Sequence, residues 1–485
     1  MDKVAGKAAG TTASISVEQR NTLAALAVVG FFMLVSLWTF AVDQRYIYFA
    51  AYLWFGFVYG MALQYGRFCM ASAVRDLFAV GVPRMAVGIM IAVVLFSLVS
   101  AYVTGLGKST FHASPLGMYS LIGGLFFGVG MVFTGGCASG SLYKTGEGSV
   151  AALLVVLSLS FTQAFLVDAG GWLNQLMPHA WTVSAAAKDL PAAVTPTDGW
   201  YDQFLAGYIW DLPSTTLAKL TGIANPFAAA FVGNSLLNSV LPALLILAVI
   251  YLGWYRKGYL RGKEASYRGL RSELAGYWTM ITASKRTAIA GLVLGVAAGL
   301  HMWVMQGLQQ HFGILNAGEL LIGMGHTTGL SVQDTVFDPG YFYVTTQEAQ
   351  GAAWVLAQMG INVMKNIFFG LDNGIPSPLL NPVLWMSFAL VGGSAVMALL
   401  NNEFKIKFPT LEVATWAIGG GVLMGVGARV GLGCNIGAFF ATVTNGDPSG
   451  WLFGIGMTGG GWLGVKFFNW WIERKMARES ATLDL

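Results

Sequence analysis

Residues 123–149 read GGLFFGVGMVFTGGCASGSLYKTGEGS, an apolar run with glycine at Gly124, Gly128 and Gly130 that ends in a glycine-rich elbow around Cys137. A second copy, GGVLMGVGARVGLGCNIGAFF, occupies residues 420–440. The two align without a gap. Gly124, Gly128, Gly130, Gly136, Cys137 and Gly140 fall on Gly421, Gly425, Gly427, Gly433, Cys434 and Gly437. Such identities at one spacing, a cysteine among them, imply a duplication with a cysteine-bearing elbow in each half. A helix interior disfavours so many glycines. Irregular backbone at membrane depth is tolerated only where it is buried in protein or lines a cavity. Each elbow is therefore expected to be a re-entrant hairpin or broken helix that presents backbone N–H donors and a thiol to a passage.

Composition places the elbows in a membrane. Of 485 residues, 55% are hydrophobic and only 10% are charged, against about 25% charge in a soluble domain. The mean hydropathy is +0.63. The low-charge runs are about 20 residues long, enough to cross the hydrocarbon. The expected class is an all-α polytopic membrane protein embedded in a lipid bilayer. The net charge of +4 is small and concentrated in one loop, so it speaks for topology and not for a nucleic-acid partner. The first apolar run, Leu23–Val42, spans and lacks a clear cleavage site, which makes it a membrane segment rather than a signal peptide.

Taken in order, residues 1–20 read as a disordered tail, 21–255 as a first transmembrane half, 256–286 as a basic cytoplasmic loop, 287–472 as a second transmembrane half and 473–485 as a cytoplasmic tail. The total is about ten membrane segments. Arg256, Lys257, Arg261, Lys263, Arg268, Arg271, Lys285 and Arg286 crowd the central loop. Lysine and arginine beside span ends mark the cytoplasmic side, so this loop and both termini lie inside. The basic-poor stretches 168–225 and 326–374 then read as long outer loops. On this topology the run before Cys137 goes inward and the run before Cys434 goes outward. The fold class is accordingly an inverted-repeat helical bundle with glycine-rich re-entrant elbows. Such bundles place the substrate near the midplane where the repeats meet.

Three cysteines, Cys69, Cys137 and Cys434, are too few and too apolar in setting for a disulfide framework. A lone free cysteine in a span is usually a small buried hydrophobe. The symmetric placement of Cys137 and Cys434 between glycines argues for a substrate path instead. Cys69 sits in GRFCMAS between Arg67 and Arg75, and nearby arginine attracts anions. The free N–H groups at the start of a half-helix also attract anions, which adds Gly136, Gly140, Gly433, Asn435 and Gly437 to the candidate site. A thiol is soft and a weak hydrogen-bond partner, better suited to sulfur-bearing substrates or soft metals than to hard oxyanions.

Other residues carry less. Lys144, Glu147, Asn445 and Asp447 follow the elbows and read first as interfacial caps. Arg429 precedes the second elbow where the first has Val132; a charge at depth is costly and usually functional. His301, Met302 and Met305 share a helical face, which core packing explains as well as soft-metal binding. No metal or cofactor is expected.

RFCMASAVRDLF, GGCASGSLYKTGEGS and GLGCNIGAFF with the following SGWLFGIGM resemble the signatures of the YeeE/YedE family of bacterial inner-membrane sulfur transporters. The likeness covers roughly residues 50–165 and 285–470. It implies an hourglass-shaped inverted repeat with hairpins dipping from both sides. It also implies that Cys69, Cys137 and Cys434 line a narrow central path and pass thiosulfate along by transient S–H···S contacts. Relatives are associated with small cytoplasmic sulfur-carrier proteins, so such a partner is part of the expectation. The counterpart of Cys69 in the second half, sought near residues 305–315, has no cysteine.

The leading expectation is uptake of a small sulfur-containing anion, foremost thiosulfate, by a protein that is not an enzyme. No GxxxxGK[ST] motif is present to bind nucleotide. Two alternatives remain open. One is a permease for another sulfur or selenium compound or a soft metal. The other is a membrane-embedded thiol sulfurtransferase or redox carrier, against which the lack of a CxxC pair counts.

Overall fold

The computed structural model describes residues 16–106, 118–166, 230–261, 269–314, 317–328, 344–361 and 374–483. These residues are helical throughout, with one isolated bridge between Ser149 and Lys407. Eight helices among them are long and apolar enough to cross a membrane. The outer stretch 168–225 lies outside the described residues.

Helix α1 (Val17–Val42) starts inside the tail expected to be disordered, because Ser16 and Gln19 form a reciprocal capping box that satisfies the first backbone donors. Helix α2 (Ile47–Gly66) ends where Arg67 turns left-handed at φ 49°. Cys69 then caps the short α3 (Met70–Arg75). Helices α4 (Arg84–Gly105) and α5 (Met118–Phe133) follow. After the first elbow come α6 (Ala138–Gly146) and α7 (Val150–Leu166).

The rest of the chain is helical as well. Helix α8 (Leu241–Ile250) lies within a longer helical stretch. An amphipathic α9 (Leu270–Thr282) forms inside the basic loop and leads to α10 (Lys285–Phe312) and the short α11 (Ala317–Gly323). The segment expected to be an acidic loop contains α12 (Thr345–Gln358), whose Thr345, Gln347, Glu348, Ala349 and Gln350 are buried. Burial of these polar residues is what the sequence reading of 326–374 as outer loop did not foresee. Helices α13 (Pro382–Leu400) and α14 (Leu411–Val430) lead to the second elbow and α15 (Asn435–Ala441). The last helix, α16 (Ser449–Leu483), carries the expected tail as a continuous extension.

Each half packs chiefly on the other: α2 on α13, α4 on α10, α5 on α16 and on α14, and α7 on α14. Glycine makes these approaches possible. A Cβ on Gly60 would sit 2.0 Å from the Leu390 carbonyl oxygen, so α2 and α13 touch backbone to backbone, the small-residue mode of membrane helix packing. The duplicated glycines do equivalent work. Gly124 and Gly128 of α5 meet the Phe453 and Met457 carbonyls of α16, while their copies Gly421 and Gly425 meet Ser158 and Thr162 of α7.

Ion pairs and backbone bonds tie helix ends together. Arg67 pairs with Glu403 at 2.9 Å and Lys475 with Glu412 at 2.7 Å. The Val150 N–H donates to the Lys407 carbonyl and the Lys405 N–H to that of Glu147. At the base of α9, Glu273 accepts from Arg256 at 2.6 Å and from the Tyr251 hydroxyl at 2.7 Å. These partners hold its carboxyl below the usual carboxylate range, the Arg256 hydrogen bond contributing most.

Candidate functional site

Both elbows break a helix so that a cysteine becomes the N-cap of the next. After α5 the chain turns at Gly135 with φ 64°, and Cys137 caps α6, its Sγ accepting from the Gly140 N–H at 3.4 Å. After α14, Leu432 and Gly433 take φ 59° and 155°, and the Cys434 Sγ accepts from the Ile436 N–H at 3.3 Å. The thiols thus occupy the place where a helix start offers unbonded N–H groups.

All three cysteines are free and buried. The Cys69 and Cys137 sulfurs approach to 3.6 Å, with the Ser139 hydroxyl 3.5 Å from Cys137. Gly140 is what admits them: a Cβ there would lie 2.6 Å from the Cys69 Sγ and 3.2 Å from the Cys137 Sγ. Cys434 has the side chain of Thr345, at the start of α12, beside its thiol. Thr345 therefore stands to Cys434 as Cys69 stands to Cys137. Residues 305–314, the described part of the stretch where that counterpart was sought, finish α10 and the turn after it.

A small cavity lies between the elbows, lined by Leu63, Phe68, Met70, Ser139, Leu294, Asn435, Ile436 and Phe440, with a volume of about 20 Å³. Its walls are the sequence neighbours of all three cysteines. Room of this size holds about one water, so a polyatomic anion requires these side chains to move. Asn435 is fully buried, and both its Oδ1 and its Nδ2 lack a hydrogen-bond partner. Leaving a buried polar group unpaired costs about 1–3 kcal/mol, so Asn435 sits in this cavity at a cost to the fold.

The other expected site residues are placed unequally. Gly136 is packed against Ser141 and Lys144, and Gly433 against the Ala438 N–H, where a Cβ would come within 2.9 Å. Gly437 is buried in α15, and its carbonyl accepts from Thr442 at 2.7 Å. Arg67, at the C-cap of α2, is paired with Glu403. Arg75 ends α3, is exposed, and pairs with its neighbour Asp76 at 2.9 Å, so the fold does not bring it to the thiols. Lys144 donates to the Gly135 carbonyl and is near enough to Cys69 to act on it electrostatically. Gln64 links Glu147 and Glu403 beside it, and burial pushes the Glu147 carboxyl above its usual range. His301 is a core residue, stacked on Phe55 with its Nδ1 3.2 Å from the Tyr59 hydroxyl. Met302 and Met305 are buried with it. Among the described residues, no three His, Cys, Asp or Glu side chains converge to hold a metal ion.

Sequence reasoning missed Ser139, Thr345 and Glu348. Ser139 lies inside the elbow motif and needed only helix geometry to be noticed. Thr345 and Glu348 belong to a stretch whose polar composition resembles a loop, and only its packing against α7 shows otherwise.

Comparison with known proteins gives the chain a family. Residues 65–463 match a family described as sulphur transport. The chain is 27% identical over 420 residues to the thiosulfate transporter TsuA of Spirochaeta thermophila, covering 84% of this chain and 95% of that protein. It is 32% identical over 127 residues to the thiosulfate transporter TsuA of Escherichia coli, covering 26% of this chain and 36% of that one. The probable transporter YedE of Escherichia coli is 30% identical over 130 residues, covering 26% of this chain and 32% of its own. With a match that covers most of the chain and runs through both elbows of this bundle of apolar helices, the chain belongs to the sulphur-transport family, known also as YeeE/YedE.

Proposed function

We propose that this protein imports thiosulfate across a bacterial inner membrane along a path defined by Cys434, Cys137 and Cys69. The observation that carries the reading is the convergence of all three cysteine-bearing segments on one buried cavity, with two sulfurs 3.6 Å apart. The two halves form an inverted repeat of about ten crossings, the eight long apolar helices being completed by Val150–Leu166 and the apolar part of Ser449–Leu483. The clustering of basic residues at one end supports a cytoplasmic placement of that end and of both termini.

In this reading the anion is drawn by the unpartnered Asn435 amide and by the positive ends of the elbow helices, whose Gly136, Gly140 and Gly433 N–H groups already donate to Thr134 Oγ1, Cys137 Sγ and the Ala428 carbonyl. The terminal sulfur of the substrate accepts a weak S–H contact from each thiol in turn. Weak sites in series let a substrate enter and still leave. Lys144 and Arg67 attract the anion toward the cytoplasmic mouth, where a sulfur-carrier protein receives it.

Uptake of labelled thiosulfate into proteoliposomes tests this. Wild type accumulates label, and serine at Cys137 or Cys434 lowers uptake to the level of empty vesicles. Full uptake by both serine variants overturns the thiol path. Uptake of selenium species or soft metal ions in place of thiosulfate would reassign the substrate.

A further inference from the structure

Next to Cys434, helix α12 carries a carboxyl group that the thiol path does not use. Glu348 is only 9% exposed, and its Oε1 has no hydrogen-bond partner. Thr345 lies one turn before it on the same face, beside the Cys434 thiol, and the Glu348 charge reaches that thiol. Around it the Gln347 Oε1 is also buried without a partner, and the Thr345 and Ser387 hydroxyls face the Cys434 thiol and the Glu348 carboxyl. These groups form a buried polar cluster.

Among the described residues, no cation compensates the carboxyl. Helix α12 packs on α7, on α13 and on the turn Pro378–Leu380, and none of these segments contains an ionisable side chain. On α12 itself Glu348 is the only charged residue. Among the described residues, what acts on Glu348 is its burial and the Ser387 hydroxyl, with no lysine, arginine or histidine in range. Among the described residues, the titratable group that faces it from another element is Cys434. A carboxylate cannot be kept ionised in such a place without a partner, and it takes a proton instead. Intramembrane acids of this kind mark proton relays in transporters.

The substrate class makes a proton useful. A dianion moving inward opposes an inside-negative potential with each of its charges, and a co-moving proton offsets that. A protonated carboxyl beside the first thiol also donates to an arriving anion, whereas the carboxylate repels it. We infer that Glu348 carries the proton that couples entry of the anion at Cys434 to proton entry. The inference rests on the reading of the chain as a sulfur-anion importer.

The test uses full-length protein in liposomes containing a trapped pH-sensitive dye. Wild type, given thiosulfate outside, should acidify the lumen as label enters, and an inward proton gradient should raise the entry rate. Glu348→Gln should keep thiosulfate/thiosulfate exchange across the membrane while losing acidification and the response to the gradient. Glu348→Asp should restore both in part. Thiosulfate entry by wild type without proton movement overturns the proposal and leaves the importer reading intact. Equal loss of exchange and net uptake in a Glu348→Gln protein that elutes as wild type marks a structural role and also overturns it. No entry of thiosulfate into wild-type vesicles overturns both.

Discussion

The Cys69 and Cys137 sulfurs lie 3.6 Å apart, although 68 residues separate them in the chain. They meet because α2 ends early at a left-handed Arg67 and α6 begins at the Cys137 cap. The absence of a Cβ on Gly140 leaves the space both sulfurs occupy. A disulfide needs an S–S distance of about 2.0 Å, so a small movement converts the pair. Mild oxidation is expected to close the bond, halt thiosulfate uptake and be reversed by dithiothreitol. Mass spectrometry of peptides containing residues 69 and 137 reads the bond. Oxidised protein that transports at the full rate would count against a path through this pair.

Asn435 separates stability from transport. Its two buried, unpartnered amide atoms each oppose folding, by about 1–3 kcal/mol for an unpaired buried group. Asn435→Ala is therefore expected to leave thermal stability unchanged or raised while uptake falls sharply. A thermal-shift assay beside an uptake assay checks the pair of outcomes. A variant that is less stable and equally active would show the amide to be structural.

Gly60 should behave in the opposite way. It lies in the α2–α13 contact, where an added Cβ would be 2.0 Å from the Leu390 carbonyl. Gly60→Val forces the helices apart, and overpacking of this kind costs about 1–3 kcal/mol. The expected result is a lower melting temperature in detergent. Gly253, with no neighbour near its Cβ position, is the control, and alanine there should change the melting temperature little.

The pH response of the basic loop follows from Glu273. Its carboxyl is held below the usual 4.5 by hydrogen bonds from Arg256 and Tyr251. A depressed folded value means that the contact stabilises above the unfolded pKa and is lost as pH falls through the folded one. The protection of α9 amides, taken relative to their intrinsic exchange at each pH, should thus be greatest at neutral pH and fall as pH drops below about 4.5. Glu273→Gln should show the lower protection at every pH. An α9 whose protection is the same at acid and neutral pH would remove Glu273 as its anchor.

Much of this protein is legible in one dimension. Long apolar runs can only be helices where no water satisfies the backbone, which settles the class. The repeated glycine spacing in residues 124–140 and 421–437 points to both elbows and to the close helix contacts around them, because glycine spacing along a helix is itself a statement about a face. Cysteine at the same place in each copy singles out the thiols. What the sequence could not decide depends on contacts between distant segments. Nothing in the order of residues says that Cys69 meets Cys137 or that Arg75 turns outward to Asp76. Nor does it say that a polar stretch around Glu348 folds inward against α7 to stand beside Cys434. Those outcomes follow from helix packing, where the side chains at a site come from elements hundreds of residues apart and local pattern carries no information about who the neighbour is.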